Sequence, residues 1–417
     1  MRCKRFLALL LTASIILPMT GCWDYQEFED IALVSAIGYD YDEASKEITV
    51  TIQHYIPAAG GAANTKGGDM TIPLAGGTVI AKGKTIPEAV NKIQSARRKN
   101  LFFGYINVIL LGEAAAKNIM KDVILVTDRT PNIRSTAYIA VTEGRAEDVL
   151  CVRDPNIPVS IGRSIYDLIE QSLESGYSYP VTFQDFVEEL EISGVEAVAP
   201  RVTAVVTKHM ENEGDFENLG DMPERVVNLN EGYHFVDGIA IFKNDKLAGW
   251  LDKKDAGGLA WLTGQDVRNY ETVMTDSEDD DQNYVIVNIQ GAKCKIKVKM
   301  EGDKPVFTVS AKVEAALLKY SEKLSSEEQT PDVVEFIQGK LAETVRKQIE
   351  SAVIKIQKEQ RSDAAGFGFV LYRKYPKLWH EKFEKDWEEL FPSVLIHVEV
   401  EAKIQNTGTV VRKLFIK

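Results

Sequence analysis

Histidine and cysteine are scarce in this 417-residue chain, with five of one and four of the other. No HExxH, GxSxG, P-loop or paired CxxC spacing occurs, which removes the usual footholds for zinc hydrolysis, acyl transfer and phosphate cradling. Basic charge is also short. Against 62 Asp and Glu stand 49 Lys and Arg, a net charge of −13, the wrong sign for nucleic acid and repelled by anionic lipid. The acidic run from Asp276 to Asp281 lacks the alternating oxygen ligands and turn glycine of a calcium loop, so it reads as a solvated loop. No cofactor or metal is expected. Long apolar runs are missing as well: the greasiest stretch, Phe6 to Leu17, falls short of the roughly 20 residues that a membrane-spanning helix needs.

That stretch follows Arg2, Lys4 and Arg5, which is the order of a secretory signal, a cationic start and then an apolar segment. Thr20 and Gly21 directly before Cys22 then match a lipobox. Small residues let the backbone enter the peptidase, and only a thiol can take the thioether lipid. The expectation is a leader over 1–21, cleavage before Cys22, and a body tied to the outer face of a membrane by diacylglyceryl on Cys22. Two acyl chains are the number that stable anchoring takes. Of the other cysteines, Cys151 and Cys294 lie beside apolar residues and read as buried structural thiols.

The body is too long for one core of ordinary size, and an α+β fold of three small mixed domains is expected, with mainly antiparallel sheets flanked by helices: 22–155, 156–282 and 283–417. In the first, 31–41 and the alternating 47–56 form a hairpin around the turn residues 42–45, with His54 on the apolar face. A loop over 57–69, a strand near 71–81 and a helix opened by Thr85 and Glu88 follow. Arg97, Arg98 and Lys99 suit that helix's C-terminal end, and the apolar run 101–111 reads as one buried central strand. In the middle unit, Thr182 caps a helix, 211–230 is a polar connection, and 235–242 with 247–251 makes a hairpin. In the third, 284–290, 292–300 and 306–318 read as a three-strand meander turning at Gly291 and Gly302-Asp303. A long helix over 331–360 carries an apolar stripe, either as a lid on the meander or against a partner helix. Two strands, 394–402 and 410–416, close the chain.

The segment 355–392 is the most specific in the sequence. Gln357, Asp363, Gly366-Phe367-Gly368, Pro376, Trp379 and Trp387 resemble the C-terminal signature of the Ger(x)C spore-germination lipoproteins, the C subunits of nutrient germinant receptors. Ala365 departs from the aromatic usual before the first glycine. Cys22-Trp23-Asp24, Glu29-Asp30, Ile37-Gly38-Tyr39-Asp40 and the segment from Leu101 to Ala115 are similar to that family's N-terminal pattern. The resemblance implies a non-catalytic subunit in the spore inner membrane, partnered by polytopic A and B subunits and acting in assembly and signal relay, with the nutrient pocket in B. Read from the residues alone, Phe367, Trp379, Phe383, Trp387 and Phe391 recur at roughly helical spacing as core, and Gly366 and Gly368 allow a close approach. Trp379 and Trp387 could instead form an exposed patch for the membrane subunits. His380 with Glu384 or Glu388 is a surface pair rather than an acid and base. The competing classes are a solute-binding lipoprotein, which needs two βαβ lobes, and an anchored hydrolase.

Overall fold

Asp42 sets the first turn. Its Oδ1 accepts hydrogen bonds from the Ala44 and Ser45 amides at 2.8 and 3.0 Å, so β1 (Ile31–Asp42) returns as the antiparallel β2 (Glu47–Ile56). The computed structural model describes residues 30–56, 75–156, 159–209, 225–227, 229–274, 284–320 and 331–406. Cys22, Trp23, Asp24, the loop 57–69, the acidic run 276–281 and the strand 410–416 lie outside the described residues. After β3 (Ala75–Gly83) comes α1 (Ile86–Ser95), whose first turn is capped by Thr85, with the Glu88 amide donating to its hydroxyl at 3.3 Å.

The run 101–111 is not one strand. It divides into β4 (Asn100–Phe102), a 3-10 turn over Phe103–Tyr105, and β5 (Val108–Gly112). Both strands run parallel to β1, β4 along Ile31 to Leu33 and β5 along Ala36 to Tyr39. The turn between them sits opposite an irregularity in β1 between Val34 and Ala36, where the Ser35 carbonyl accepts the Asn107 amide at 2.9 Å. Only β5 is the buried central strand. Its residues alternate between two cores, Ile109 and Leu111 facing the larger and Val108 and Leu110 the smaller, which is why its sequence is apolar without a break.

β6 (Tyr138–Thr142) lies parallel to β5. Then follow α2 (Ala146–Leu150), β7 (Val152–Arg153), α3 (Ile161–Glu170) and α4 (Phe183–Glu191), the last opened by a reciprocal capping box between Thr182 and Asp185. β8 (Val198–Lys208), β9 (Arg225–Val227), β10 (Asn230–Lys243) and β11 (Lys246–Leu251) complete an 11-stranded sheet in the order β11-β10-β8-β6-β5-β1-β2-β3-β9, with β4 on β1 and β7 on β10. Its centre, β1, β5, β6 and β8, is parallel and its flanks are antiparallel. The boundary expected near 155 therefore does not divide one sheet from another: β6 and β8, from either side of it, are hydrogen-bonded neighbours. The polar connection 211–230 also contributes an edge strand, β9, which pairs with β3.

α5 (Lys253–Leu262) leads to a second, four-stranded sheet of β12 (Tyr270–Met274), β13 (Tyr284–Glu301), β14 (Lys304–Tyr320) and β15 (Leu395–Asn406). Gly291 is not a turn. It sits at a register shift inside the continuous β13, where a glycine loosens the ladder without breaking it. β15 returns parallel to β14, because the whole stretch between them serves as the crossover.

That crossover contains α6 (Pro331–Ile354), extended by a π turn over Lys355–Glu359. Ile337, Leu341, Val345, Ile349, Val353 and Ile356 of its stripe are buried. The helix covers β15 and also packs on α5, so it is both the lid and one half of a helix pair. Gly258 makes the crossing close, since a Cβ there would lie 2.7 Å from that of Ala352. One contiguous apolar cluster joins Val34 of β1 to Ile404 of β15 through this layer. The fold class is α+β, as expected, with mainly antiparallel ladders beside the long parallel one of β14 and β15. Among the described residues no helix is long and apolar enough to cross a membrane.

Candidate functional site

The carboxyl-terminal motif begins where the π turn ends. Arg361 takes φ 51°, and the two residues after it turn inward. Ser362 Oγ donates to the Phe242 carbonyl of β10 at 2.6 Å. Asp363 is 4 % exposed, and its carboxylate is the hub. Oδ1 accepts the Phe367 amide at 2.9 Å, while Oδ2 accepts the Gly368 amide at 2.7 Å and Trp387 Nε1 at 2.9 Å. Its carbonyl accepts the Glu196 and Gly366 amides, each at 3.1 Å.

Asp363 thus caps α7 (Phe367–Lys374) from four residues upstream. This works because Gly366 takes φ 70° and ψ 35°, a left-handed turn that suits a residue without Cβ, and folds the chain back over the carboxylate. An anion at that end of a helix is also favoured by the peptide dipoles. Burial pushes the Asp363 carboxyl up to about 6 against the pull of its N–H donors, so it is ionised at neutral pH.

The second glycine serves contact rather than conformation. A Cβ at Gly368 would lie 2.6 Å from Trp387 Nε1 and 2.8 Å from Gly194 Cα. Gly194, at φ 86°, belongs to the loop between α4 and β8, and its carbonyl accepts the Phe369 amide at 2.8 Å. The motif therefore ties the first sheet's loop to the second sheet's crossover. Trp379 and Trp387 are 0 % and 4 % exposed, with ring centroids 5.4 Å apart. Phe307 of β14 meets Phe367 edge-on at 5.2 Å. Both indoles are core, and neither forms an exposed patch. Gln357 Nε2 donates to the Phe391 and Val394 carbonyls at 2.7 Å, holding the chain as it enters β15. Pro376 is exposed and opens the turn Pro376–Leu378 after α7.

Beside this knot lies an acid-lined cleft of about 210 Å³, bordered by Gly194, Glu196, Asn244, Trp379, Glu384 and Glu388. Most of its charge is already engaged. The Asn244 amide donates to Glu196 at 2.6 Å, Lys243 pairs with Glu388 at 3.1 Å, and His380 Nδ1 lies 2.9 Å from Glu384 Oε2. The His380 and Glu384 side chains are 55 % and 38 % exposed, a surface pair. Among the described residues no three of His, Cys, Asp and Glu gather as metal ligands. Cys151 is buried and Cys294 half-buried. His54 is buried in the core, 2.6 Å from Arg97 Nη1, and its burial and that guanidinium lower it to about 4. Arg97 thus reaches inward rather than into solvent.

A matching device near the start is not evident from the residues alone. Asp40 is buried, and its oxygens accept the Ala146 and Glu147 amides at 2.7 and 2.9 Å, capping α2 across the sheet. Gly38 makes room for it, since a Cβ there would lie 2.8 Å from Leu150 Cδ1. The only local signal is the Gly38-Tyr39-Asp40 triplet; its partner is 106 residues away.

Buried acids carry a pH signature. Burial raises Asp363 to about 6 and Glu189 and Glu196 to about 7, above their ordinary values in an unfolded chain. Between those limits the native state holds more protons than the unfolded one, so these groups' contribution to stability falls as pH rises through 6 and 7. Urea midpoints should be higher at pH 5.5 than at pH 7.5, and Asp363→Asn should flatten some of that slope.

Two family descriptions match consecutive stretches of the chain: the spore germination protein N-terminal domain over residues 24–204, and the spore germination B3/GerAC-like C-terminal domain over 237–408. The chain is 28 % identical to spore germination protein KC of Bacillus subtilis (strain 168), over 97 % of this chain and 96 % of that one. Spore germination protein B3 of the same organism is 23 % identical, over 95 % and 96 %. The crystal structure of the GerBC protein has the same fold, with a TM-score of 0.51 and 18 % identity over 89 % of this chain and 97 % of the other. None of these descriptions is of an enzyme. By the two halves matched in order and by likeness along nearly its whole length, the chain belongs to the Ger(x)C family of spore germination proteins.

Proposed function

We propose that this protein is the lipid-anchored, non-catalytic C subunit of a spore nutrient germinant receptor. It sits on the outer face of the spore inner membrane and acts in receptor assembly and signal relay with polytopic A and B subunits. The observation that carries the reading is the alignment with a spore germination protein over 97 % of the chain. The lipobox at Cys22 supplies the attachment. The motif residues support a non-catalytic role, because Asp363, Gly368, Trp379 and Trp387 are engaged in holding the body together. The solute-binding alternative fits poorly with one 11-stranded sheet where two lobes and a hinge are needed.

Palmitate labelling and co-purification from spore membranes test this together. The wild-type chain should take the label and bring polytopic germination subunits with it. Cys22→Ala should remain uncut and unlabelled and should lower the nutrient response. Label retained in that variant would refute the anchor, and purification without any polytopic germination protein would refute the receptor role.

A further inference from the structure

A second cleft, reached by Asn107 where its amide bonds to Ser35 at the β1 irregularity, has chemistry opposite to the first. It encloses about 210 Å³ and is bordered by Tyr105, Asn107, Arg134, Thr136, Arg163 and Tyr166. No carboxylate borders it, in a chain whose net charge is −13.

Its components are fixed by the fold. Asn107 is held on both sides of its backbone, its amide on the Ser35 carbonyl and its carbonyl on the Tyr138 amide, each at 2.9 Å. Its side-chain Nδ2 is buried and has no hydrogen-bond partner among the described residues, which leaves a donor in need of an acceptor. Arg163 stands in the first turn of α3, where its amide is capped by Ser160 Oγ at 3.2 Å. Its guanidinium lies over the Tyr166 ring at 4.8 Å and pairs with Asp167 at 2.7 Å, which aims it while using only some of its donor fork. Tyr166 is stacked in turn on Tyr138 at 4.6 Å. Arg134 is exposed, and among the described residues its guanidinium has no ion-pair partner.

From two guanidiniums, an orphaned buried amide donor and the absence of any lining acid, we infer that this cleft binds a phosphate group. A carboxylate offers two oxygens in one plane, whereas a phosphate offers them in a tetrahedron and matches donors that come from three elements. The phosphate comes either from an anionic lipid headgroup or free from solution. The lipid source rests on the anchored reading above: Ser35, which holds Asn107, follows the lipobox cysteine by only 13 residues of sequence. The free-phosphate source does not depend on that reading.

The test uses the mature chain, residues 22–417 carrying Cys22→Ala, so that neither acyl chains nor the cationic apolar leader masks binding. Calorimetric titration with inorganic phosphate should saturate, with acetate binding more weakly. Arg134→Gln, at an exposed position, should weaken phosphate by about tenfold, the loss of one charge-assisted contact. Asn107→Asp, which keeps the shape and reverses the polarity, should abolish it. Flotation with vesicles of phosphatidylcholine plus phosphatidylglycerol, against phosphatidylcholine alone, separates the sources: capture lost in the same two variants assigns the headgroup, and phosphate binding without capture assigns the free ion. No phosphate binding, binding unchanged in both variants, or acetate binding as tightly as phosphate would each overturn the proposal. A failure of palmitate labelling would leave the phosphate arm standing.

Discussion

Trp387→Ala should destabilise the protein by about 3 to 5 kcal/mol, the usual cost of emptying a large aromatic from a core. The ring is 4 % exposed and packs at 5.4 Å from Trp379 and 5.9 Å from Phe391, so there is little freedom for the site to collapse. A second loss adds to the cavity. Trp387 Nε1 is one of the donors on Asp363 Oδ2, and removing it leaves a buried carboxylate with one partner fewer, a change that costs about 1.5 to 3 kcal/mol when the acceptor is charged. Trp387→Phe separates the two. It keeps most of the packing and forfeits the hydrogen bond, and it should fall well short of the alanine variant in urea unfolding. Equal midpoints for wild type and Trp387→Ala would show that the indole is not in the folded core.

Gly368→Ala should destabilise by about 3 kcal/mol, the upper end of the range for overpacked interiors. On helix propensity alone the same change would stabilise by about 1 kcal/mol. The sign is reversed by what the new methyl would meet: Trp387 Nε1 at 2.6 Å on one side and the Gly194 backbone at 2.8 Å on the other. Neither neighbour yields easily, since the indole is held by Asp363 and Gly194 by its own carbonyl on Phe369. Gly291→Ala is the control, because a Cβ there has open space around it. A destabilisation confined to Gly368→Ala, with a change in near-ultraviolet tryptophan dichroism, is the expected result. A neutral Gly368→Ala would mean that α7 and the 192–196 loop do not touch.

The elements legible in the sequence are those whose cause is local. Asp42, Thr85 and Thr182 each bond to amides two or three residues on, and the stripe from Ile337 to Ile356 repeats along a single helix. What the residues conceal depends on partners far along the chain. The run 101–111 is largely apolar, yet it divides into β4 and β5, with the turn between them beside an irregular register at Ser35 of β1, some 70 residues earlier. Gly291 looks like a turn and is a fault in a ladder with β14. Chain length suggests a boundary near 155, but β6 and β8 pair across it. In the candidate site the sequence leaves the role of Trp379 and Trp387 open between core and patch. The roles follow from Gly194 and Glu196, which no periodicity links to residue 363.

The parallel pairing of β14 with β15 bears on how the chain is made. An antiparallel return would let the second sheet finish as soon as β14 turned back. Here Tyr320 and Leu395 stand on either side of the entire α6 crossover, and β15 is the strand that α6 packs on. Until it emerges, from ribosome or export channel, the stripe of Ile337, Leu341, Val345 and Ile349 lacks one of its covers. Such non-local closure is slow, and exposed apolar surface in the interval favours aggregation. A chain interrupted before Leu395 would therefore hold a complete first sheet beside an unclosed second one, and quality control rather than loss of any single contact would decide its fate.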